Sequence, residues 1–311
     1  MLTYVLARLC QGLVGLLIVM TIVFAMARLS GDPATLMAPP QASAADIETV
    51  RVNLGLDRPV LEQYWAYLSG LFHGDLGTST SASAPVADLL WPAFQETAHL
   101  ALVALLLAVT VGLPLGFIAG IRAGGRTDLA VRVVALLGQS IPSFWLGIVL
   151  VMVFAVWLGV LPALGSNSGL TSVILPATAL AAFPLAASAR LTRSSVVEVM
   201  RRDFVTFVET KGVPPRVVFK HIARNASLPV VTLTGIQIGQ LISATIIVET
   251  LFAWPGLGQL AIQAINARDY QLLQGIVVVD TVIFVALLFV VDLSYGYLDP
   301  RVRRAQRAAG S

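Results

Sequence analysis

The longest charge-free stretch of the chain runs from Val133 to Ala189, where 57 consecutive residues include no Asp, Glu, Lys or Arg. A single helix needs only about 20 apolar residues to cross the hydrocarbon core of a bilayer. Pro162 and the segment 165–169, which contains two glycines, divide the stretch into two such helices. Charged residues make up 12% of the whole chain, whereas soluble domains contain about 25%. The sequence therefore predicts an integral membrane protein built from helices.

Four further apolar runs are long enough to cross a bilayer, and with the two above they predict six transmembrane helices. They are Leu9–Ala27, Leu100–Ile121, Asn225–Val248 and Tyr270–Val291. The first run has 19 residues and exceeds the roughly 7–15 apolar residues of a signal peptide. We therefore expect residues 1–29 to form an uncleaved anchor helix rather than a leader. An even number of crossings places both ends of the chain on the same side of the membrane.

Basic residues indicate which side that is, because Lys and Arg are concentrated in the cytoplasmic loops of membrane proteins. With the N-terminus in the cytoplasm, the inside segments hold 16 of the 20 Lys and Arg residues. The outside segments hold the other four, which are Arg28, Arg51, Arg58 and Arg268. This predicts cytoplasmic N- and C-termini, with residues 299–311 as a cytoplasmic tail. It also explains the net charge of +3 without nucleic-acid binding.

Residues 30–94, between the first two predicted spans, are polar enough to lie outside the membrane. Within them, Asp46–Leu54 and Pro59–Phe72 have the pattern of short helices. The second helix carries apolar and aromatic residues that could bury a modest face: Tyr64, Trp65, Leu68, Leu71 and Phe72. The sequence thus predicts a small folded extracytoplasmic domain, followed by a transmembrane core of residues 95–298.

The cytoplasmic segment Ser195–Pro229 has the pattern of two short helices joined by a hinge. A capping box that begins at Ser195 predicts the start of the first helix. Gly212 is typical of the left-handed residue that ends a helix. Pro215 can open a second helix at its first position, and we expect that helix to run to about Arg224. Pro229 either ends it or begins the next span.

One face of this hairpin is apolar, because Val196, Met200, Phe204 and Val208 recur at a spacing of four. Two interpretations have equal weight from the residues alone. The stripe could lie in a groove of a soluble partner, or the hairpin could be an interfacial element packed under its own spans.

The chain shows no pattern of a catalytic or cofactor site. It has no Gly-rich phosphate loop, no Ser/His/Asp arrangement and a single cysteine, Cys10. Its three histidines, His73, His99 and His221, are far apart in sequence. We therefore expect no enzyme activity, no bound metal and no nucleotide site in this chain.

Polar side chains within the predicted spans are candidates for function, since they are costly in a membrane. Gln237, Gln240 and Ser243 recur on one side of the fifth span, and Glu249 lies near its outer end. They could line a solute path or form interhelical hydrogen bonds worth about 0.6 kcal/mol each. For Gln and Ser the structural role is favoured. For Asp280, in the middle of the last span, a place in the path or its gate is favoured.

The outer segment between the last two spans, residues 252–270, is only partly polar. Trp254 and Tyr270 suit the aromatic belt of a membrane interface, and Gln259–Asn266 has the pattern of a short helix. This segment could seal the outer mouth of a path or contact an extracytoplasmic partner.

Eight motifs, taken in order, carry a resemblance to a known family. They are Arg28-Leu-Ser-Gly-Asp-Pro33, Leu54-Gly-Leu-Asp-Arg-Pro59, Gly74-Asp-Leu-Gly77, Ile141-Pro-Ser-Phe-Trp-Leu-Gly147, the hairpin with Arg224-Asn225-Ala226-Ser227-Leu228-Pro229, Val248-Glu-Thr-Leu-Phe-Ala-Trp-Pro-Gly-Leu-Gly258, Ala267-Arg-Asp-Tyr270 and Leu298-Asp-Pro-Arg301. The chain resembles permeases of the dipeptide/oligopeptide/nickel branch of ABC importers, specifically the first permease of the pair, which bears an N-terminal domain. The acid–alanine pair of the family's coupling loop is replaced by Thr206-Phe207-Val208-Glu209.

The resemblance implies the all-α transmembrane domain of a type I ABC importer in a bacterial or archaeal inner membrane. Expected partners are a second homologous permease, two ATPase subunits that hold ATP and Mg, an extracytoplasmic binding protein and membrane lipid. Its implied solutes are di- or oligopeptides or related small molecules. Contacts with the ATPase are expected from the coupling loop: Phe204, Val208, Glu209, Lys211, Gly212, Val218, Phe219 and His221. The solute path or its gate is expected at Gln237, Gln240, Ser243, Glu249, Trp254 and Asp280.

Two other hypotheses remain open at this point. The chain could be an ion-coupled secondary transporter of a small polar solute, with Asp280 as the proton carrier, although we find no inverted repeat that would favour this. It could also be a membrane scaffold or sensor that transports nothing and binds a ligand through its outer domain.

Overall fold

The computed structural model of the chain describes the backbone of residues 2–29, 34–35, 42–53, 55–165 and 169–298, and all but a few of their side chains; those of residues 2–5, 27, 53, 170, 206, 209, 228, 242, 243 and 291–298 lie outside the description. These residues form eleven α-helices: α1 (Leu2–Leu29), α2 (Ala44–Asn53), α3 (Val60–Phe72), α4 (Val86–Ile121), α5 (Arg126–Ser140), α6 (Ser143–Leu150), α7 (Ile174–Met200), α8 (Asp203–Thr210), α9 (Pro215–Leu251), α10 (Leu257–Asn266) and α11 (Tyr270–Leu298). A π-helical segment, Val151–Trp157, continues α6, and Gly169–Thr171 forms a short 3₁₀ turn.

Four of these helices contain segments long and apolar enough to cross a membrane. They are Leu6–Met26 of α1, Val86–Ile121, Ile174–Met200 and Tyr270–Val290 of α11. Two bent pairs pass the same test together, which gives up to six spans if each pair is one crossing. The all-helical class predicted from the sequence is therefore confirmed, with four to six candidate spans.

The bent pairs replace two of the straight spans expected from the sequence. α5 and the segment Ser143–Trp157 meet at 106°, because Pro142 disfavours helical geometry at the preceding residue and Ile141 is extended (φ −85°, ψ 123°). α9 bends by 53° between Leu241 and Ala244. The predicted break around Pro162 is present as well, since α7 begins only at Ile174.

The described residues within 1–95 and 256–289 form one compact unit. Its larger core joins Val86 and Leu90 of α4 to Leu257 of α10 and Leu272 of α11. A smaller cluster packs Leu68 of α3 against Met20 of α1 and Val278 of α11. Many other apolar residues of α1 are exposed, as expected for a helix that faces lipid.

Helix α3 packs differently from the sequence prediction. Leu68 is buried, and Tyr64 and Leu71 pack beside it, but Trp65 and Phe72 are exposed. Only one stripe of the helix faces α1 and α11, so Trp65 and Phe72 stay largely exposed, with the Trp65 ring 6.3 Å from that of Tyr64. The helices predicted at Asp46–Leu54 and Pro59–Phe72 themselves are confirmed as α2 and α3.

The second unit comprises the described residues within 96–255 and 290–298. Helix α7 lies at its centre and packs against α5, α6 and α9. Helix α4 also approaches α7 closely, because Gly112, Gly116 and Gly120 lie against the backbone and side chains of α7. A Cβ atom at Gly116 would overlap the carbonyl oxygen of Ala189, so glycine is required for this approach. Such small-residue contacts are typical of packed membrane helices.

Two helix boundaries predicted from the sequence are wrong. No helix begins at Ser195, because α7 runs without interruption to Met200 and its buried face continues through Thr192, Ser195 and Val199. Tertiary packing thus overrides the capping-box pattern. Likewise α9 continues through Pro229 to Leu251 rather than ending near Arg224.

Candidate coupling hairpin and solute path

The hairpin predicted on the cytoplasmic side is formed by α8 and the first turns of α9. A short break at residues 201–202 separates α7 from α8. Gly212 follows α8 with φ +66°, the left-handed geometry predicted from its position. Pro215 opens α9, as expected for a proline at the first helical position. The hinge is therefore set by these two residues.

The inner face of the hairpin is occupied by the chain's own helices. Val196, Val205 and Ile222 are buried in one cluster, against which Phe204 and Val218 pack. Val208 is half-buried, and the side chain of Glu209 lies outside the described residues. The apolar stripe is thus packed against residues of α9. For this face of the hairpin, the contact favours packing under the chain's own spans over binding to a soluble partner.

The outer face of the hairpin exposes a different set of residues. Phe219 is 51% exposed and its ring centroid lies 4.5 Å from that of Phe117. Lys211, Gly212 and His221 are also exposed. Within the expected coupling set, these four residues are available to a partner, whereas Phe204 and Val218 are mostly covered.

One exposed residue of this face was missed from the sequence. Phe207 is 57% exposed, and the Lys211 ammonium lies 4.3 Å from the centre of its ring. In the sequence Phe207 directly precedes Val208, and adjacent residues of a helix point about 100° apart. Phe207 therefore lies off the apolar stripe to which Val208 belongs, and this position was the available signal that it is exposed. An exposed aromatic side chain on each side of the Gly212 hinge is the type of residue that anchors interfaces.

A cavity of about 380 Å³ lies where α5 and α6 meet α7 and α9. Its polar lining consists of Gln139, Ser140, Ser143, Gln237 and Gln240. Leu180, Phe183, Pro184, Leu241 and Ala244 supply most of its apolar wall. The structure thus brings Gln237 and Gln240 together, as their spacing predicts, while the side chain of Ser243 lies outside the described residues.

The two glutamines play different structural parts. Gln237 is buried; its Nε2 donates to the carbonyl oxygen of Pro184 (2.9 Å) and its Oε1 accepts from Ser188 Oγ (3.1 Å). These bonds join α9 to α7, which is the interhelical role favoured from the sequence. Gln240 is exposed and lines the cavity, so its amide is available to a solute.

Glu249 and Trp254 lie together at the C-terminal end of α9, where the Trp254 N–H donates to the Glu249 carbonyl oxygen. Glu249 is buried and accepts a hydrogen bond from Thr97 Oγ1 at 2.7 Å. Trp254 is 2% exposed, with its Nε1 donating to the Glu96 carbonyl oxygen at 3.0 Å and its ring beside His99. The prediction that Trp254 faces the membrane interface is wrong, because its polar edge finds a partner within the fold.

Asp280 and Tyr270 belong to the other unit, on α11. Asp280 is half-buried in the middle of the apolar helix. Among the residues that the structure describes, its carboxylate has no hydrogen bond or ion pair. Tyr270 is half-buried at the first position of α11.

In the first unit, Asp269 of the motif Ala267–Tyr270 is bonded to the loop that follows the motif Gly74–Gly77. Asp269 accepts hydrogen bonds from Ser79 Oγ (2.6 Å), Ser81 Oγ (2.8 Å) and Ser81 N (3.0 Å), and a further one from Leu272 N (3.0 Å). The loop after Gly77 is thereby tied to the start of α11. Burial favours the neutral carboxyl, but these hydrogen bonds outweigh it and hold the pKa of Asp269 below its usual value. The ionised carboxylate is therefore the form of Asp269 that accepts these hydrogen bonds. We call the contacts of Asp269 with Ser79, Ser81 and Leu272 the Asp269 clasp.

Metal-binding chemistry is not evident in the described part of the chain. Over those residues, no three His, Cys, Asp or Glu side chains lie close enough to share an ion. The polar sites that stand out are the hairpin, the cavity and the Asp269 clasp.

Two family models together cover nearly the whole chain. The model described as binding-protein-dependent transport system inner membrane component matches residues 112–304. The model of the N-terminal region of such membrane components matches residues 1–112.

Similar proteins come from several enterobacteria. The glutathione transport system permease protein GsiC of Escherichia coli O6:H1 (strain CFT073) is 40% identical over 305 residues, which cover 97% of this chain and 99% of that protein. The protein of the same name from Escherichia coli K12 is also 40% identical over the same shares. The one from Pectobacterium atrosepticum is 39% identical, again over 97% of this chain and 99% of its own.

Proposed function

The chain belongs to the family of binding-protein-dependent transport system inner membrane components, and on this premise we propose that it forms part of the solute path of a peptide importer, driven through its α8–α9 hairpin. It is a permease subunit of an ABC importer, a transport component rather than an enzyme. Its family implies a substrate-binding protein and ATPase subunits as partners.

The proposed topology has six crossings, with each bent pair counted as one. Residues 1–29 anchor the chain, residues 30–94 form an extracytoplasmic domain, residues 95–298 form the core, and residues 299–311 are a cytoplasmic tail. The support is the split of basic residues, 16 on one side and four on the other. Both termini are then cytoplasmic.

The observation that carries the coupling role is the exposed aromatic face of the hairpin. Phe207 and Phe219 are exposed on either side of Gly212 in the sequence, while Val205 and Ile222 of the hairpin's inner face are buried in a cluster with Val196. A helix hairpin of this kind fits a groove on a soluble partner, which we identify as the ATPase. Lys211, Gly212 and His221 belong to the same exposed surface, with Glu209 beside them in sequence. Phe204, Val208 and Val218 support that surface from beneath.

The solute path is proposed to pass the cavity beside Gln240, which Ser143 also lines. Ser243 follows Gln240 by three positions in the sequence and is assigned to the same path. Glu249 and Trp254 are assigned to the outer seal of the core, since both are buried in hydrogen bonds at the outer end of α9. Asp280 is assigned to the path or its gate because a half-buried carboxylate in an apolar helix is costly unless it has a function.

The solutes are proposed to be di- or oligopeptides or related small molecules, glutathione among them, delivered by the binding protein. A second, homologous permease completes the path, and two ATPase subunits supply ATP and Mg, so that this chain holds no cofactor. The relatives named as glutathione transport permeases support this class of solute.

The test is a detergent pull-down of the tagged chain followed by reconstitution. We expect recovery of a second permease and of an ATPase, and uptake of glutathione or trialanine into proteoliposomes that requires ATP and the binding protein. Loss of the ATPase from the pull-down is expected for Phe207→Ser combined with Phe219→Ser, with Trp65→Ser as a matched control at an exposed aromatic residue of α3. Recovery of the chain alone, or uptake that persists without ATP, would contradict the proposal.

A further inference from the structure

The cavity between α5, α6, α7 and α9 has the features of a small-molecule site. Its volume of about 380 Å³ falls in the range of roughly 300–1,000 Å³ found for ligand pockets. Such pockets are mostly apolar with a few polar groups, and here Phe183, Leu180 and Leu241 face a small set of amides and hydroxyls.

The polar groups of this cavity are all uncharged. The described residues that line it include no Asp, Glu, Lys, Arg or His. An ionised group moved into such surroundings would lose its hydration without gaining a partner, which is strongly unfavourable. The cavity therefore suits a neutral polar group flanked by apolar atoms.

Gln139 gives a second indication of the ligand. Its Nε2 is buried and has no hydrogen-bond partner among the described residues. A buried donor without a partner is unfavourable, and an acceptor brought into the cavity would remove that penalty. Gln240, across the cavity on α9, is exposed to the same space.

A glutamine side chain presents one carbonyl and one amide group, and a peptide unit presents the same pair on its backbone. We propose that the cavity is a transient binding site for a neutral peptide unit of the solute in transit, which Gln139 and Gln240 hydrogen-bond through their amides. The site forms hydrogen bonds with the backbone of the solute rather than with its side chains, so it accepts peptides of different sequence. This inference rests on the proposed peptide-import function.

The first experiment measures uptake by the whole importer in proteoliposomes, with trialanine as the probe and values expressed per assembled complex. Gln139→Leu and Gln240→Leu are each expected to lower the maximal uptake rate about 3- to 10-fold, the effect of one hydrogen bond of about 0.5–1.5 kcal/mol. The half-saturation concentration, which the binding protein sets by capturing the solute, is expected to stay unchanged. Gln263→Leu on α10 makes the same chemical change at an exposed glutamine away from the cavity and is expected to transport normally.

The second experiment uses a gain of selectivity, which a merely structural role would not produce. Gln240→Glu places a carboxylate in the uncharged cavity. We expect it to raise the ratio of Ala-Lys-Ala to Ala-Glu-Ala uptake about tenfold over the wild-type ratio, whereas Gln263→Glu leaves the ratio unchanged.

The outcomes separate this inference from the proposed function. If the wild-type importer takes up trialanine but neither glutamine variant alters the rate or the charge ratio, the cavity is not on the path and the inference is wrong. If the wild-type importer takes up no peptide at all, the proposed function itself fails.

Discussion

Arg193 on α7 holds both carboxylate oxygens of Asp128 on α5. Its Nε donates to Oδ1 at 2.5 Å and its Nη2 donates to Oδ2 at 2.9 Å, while the Gly124 N–H also donates to Oδ2. Asp128 is completely buried. The ion pair joins α5 to α7, and residues of both helices also line the cavity.

Removing one partner of this pair is expected to destabilise the fold. Arg193→Met leaves the buried carboxylate with the Gly124 N–H and with the half-exposed Arg132, whose Nε lies 3.5 Å away. We expect the free energy of unfolding to fall by about 3 kcal/mol, at the lower end of the range for broken buried pairs. Denaturant unfolding in detergent measures it. The control is Arg202→Gln, which removes an exposed pair with Glu198 and is expected to cost about 0.5 kcal/mol or less; equal losses for both variants would contradict this.

The close contact between α4 and α7 predicts that substitution by alanine destabilises the fold at Gly116 but not at Gly15. Gly116→Ala is expected to lower the free energy of unfolding by about 1–3 kcal/mol, because the new Cβ would overlap the Ala189 carbonyl oxygen. Gly15→Ala on α1 meets no atom within 4 Å and is expected to be neutral or stabilising, since alanine favours helix. The same unfolding measurement applies, and a harmless Gly116→Ala would show that the two helices can separate without cost.

The left-handed backbone at Gly212 predicts that a β-branched residue there uncouples ATP hydrolysis from solute uptake. Gly212→Val forces a β-branched residue into φ +66°, at a cost of roughly 1–2 kcal/mol. We expect the hairpin to relieve this strain by changing the angle between α8 and α9. We expect ATP hydrolysis to continue while uptake falls, so the number of ATP molecules used per imported solute rises.

Two further variants define the hinge experiment. Gly159→Val has a similar positive φ and open space around it but lies outside the hairpin, and it is expected to leave the ATP-to-solute ratio unchanged. Gly212→Asn is expected to restore coupling, because asparagine tolerates left-handed geometry. Normal coupling in Gly212→Val would exclude a role for the hinge.

The Asp269 clasp predicts a pH-dependent contribution to stability. Because the folded-state pKa of Asp269 lies below its usual value, the contribution is complete above the unfolded pKa of about 3.9 and is lost as the pH falls through the lower folded value. Asp269→Asn is expected to cost about 1–3 kcal/mol at pH 7. The difference from wild type should shrink as unfolding is measured from pH 5 down to pH 3. A difference that does not change with pH would mean that the charge of Asp269 is not involved.

Local chemistry made some of these features predictable from the sequence. Gly212 and Pro215 set the hinge because each has a backbone preference that neighbouring residues do not alter. The helices around Asp46 and Pro59 follow from their own periodicity in the same way. These predictions needed no knowledge of what packs against them.

Features that depend on packing were the ones that sequence reasoning missed. Ser195 carries a capping pattern, yet the buried face of α7 continues past it. Trp254 has the amphipathic character of an interface residue, yet Glu96 offers its indole a buried acceptor. Two features could have been predicted from the sequence. The four-residue spacing of Gly112 and Gly116 indicates the close approach of α4 to α7, and Pro142 indicates the 106° bend between α5 and α6.

The link between Ser79 and Asp269 spans 190 residues of sequence, with residues 96–255 of the second unit between them. A ribosome adds about 5–20 residues per second, so about 10–40 s separate the synthesis of the two side chains. During that time the loop after Gly77 must wait without its carboxylate. The contact that ties this loop to the start of α11 can therefore form only after most of the chain has been made.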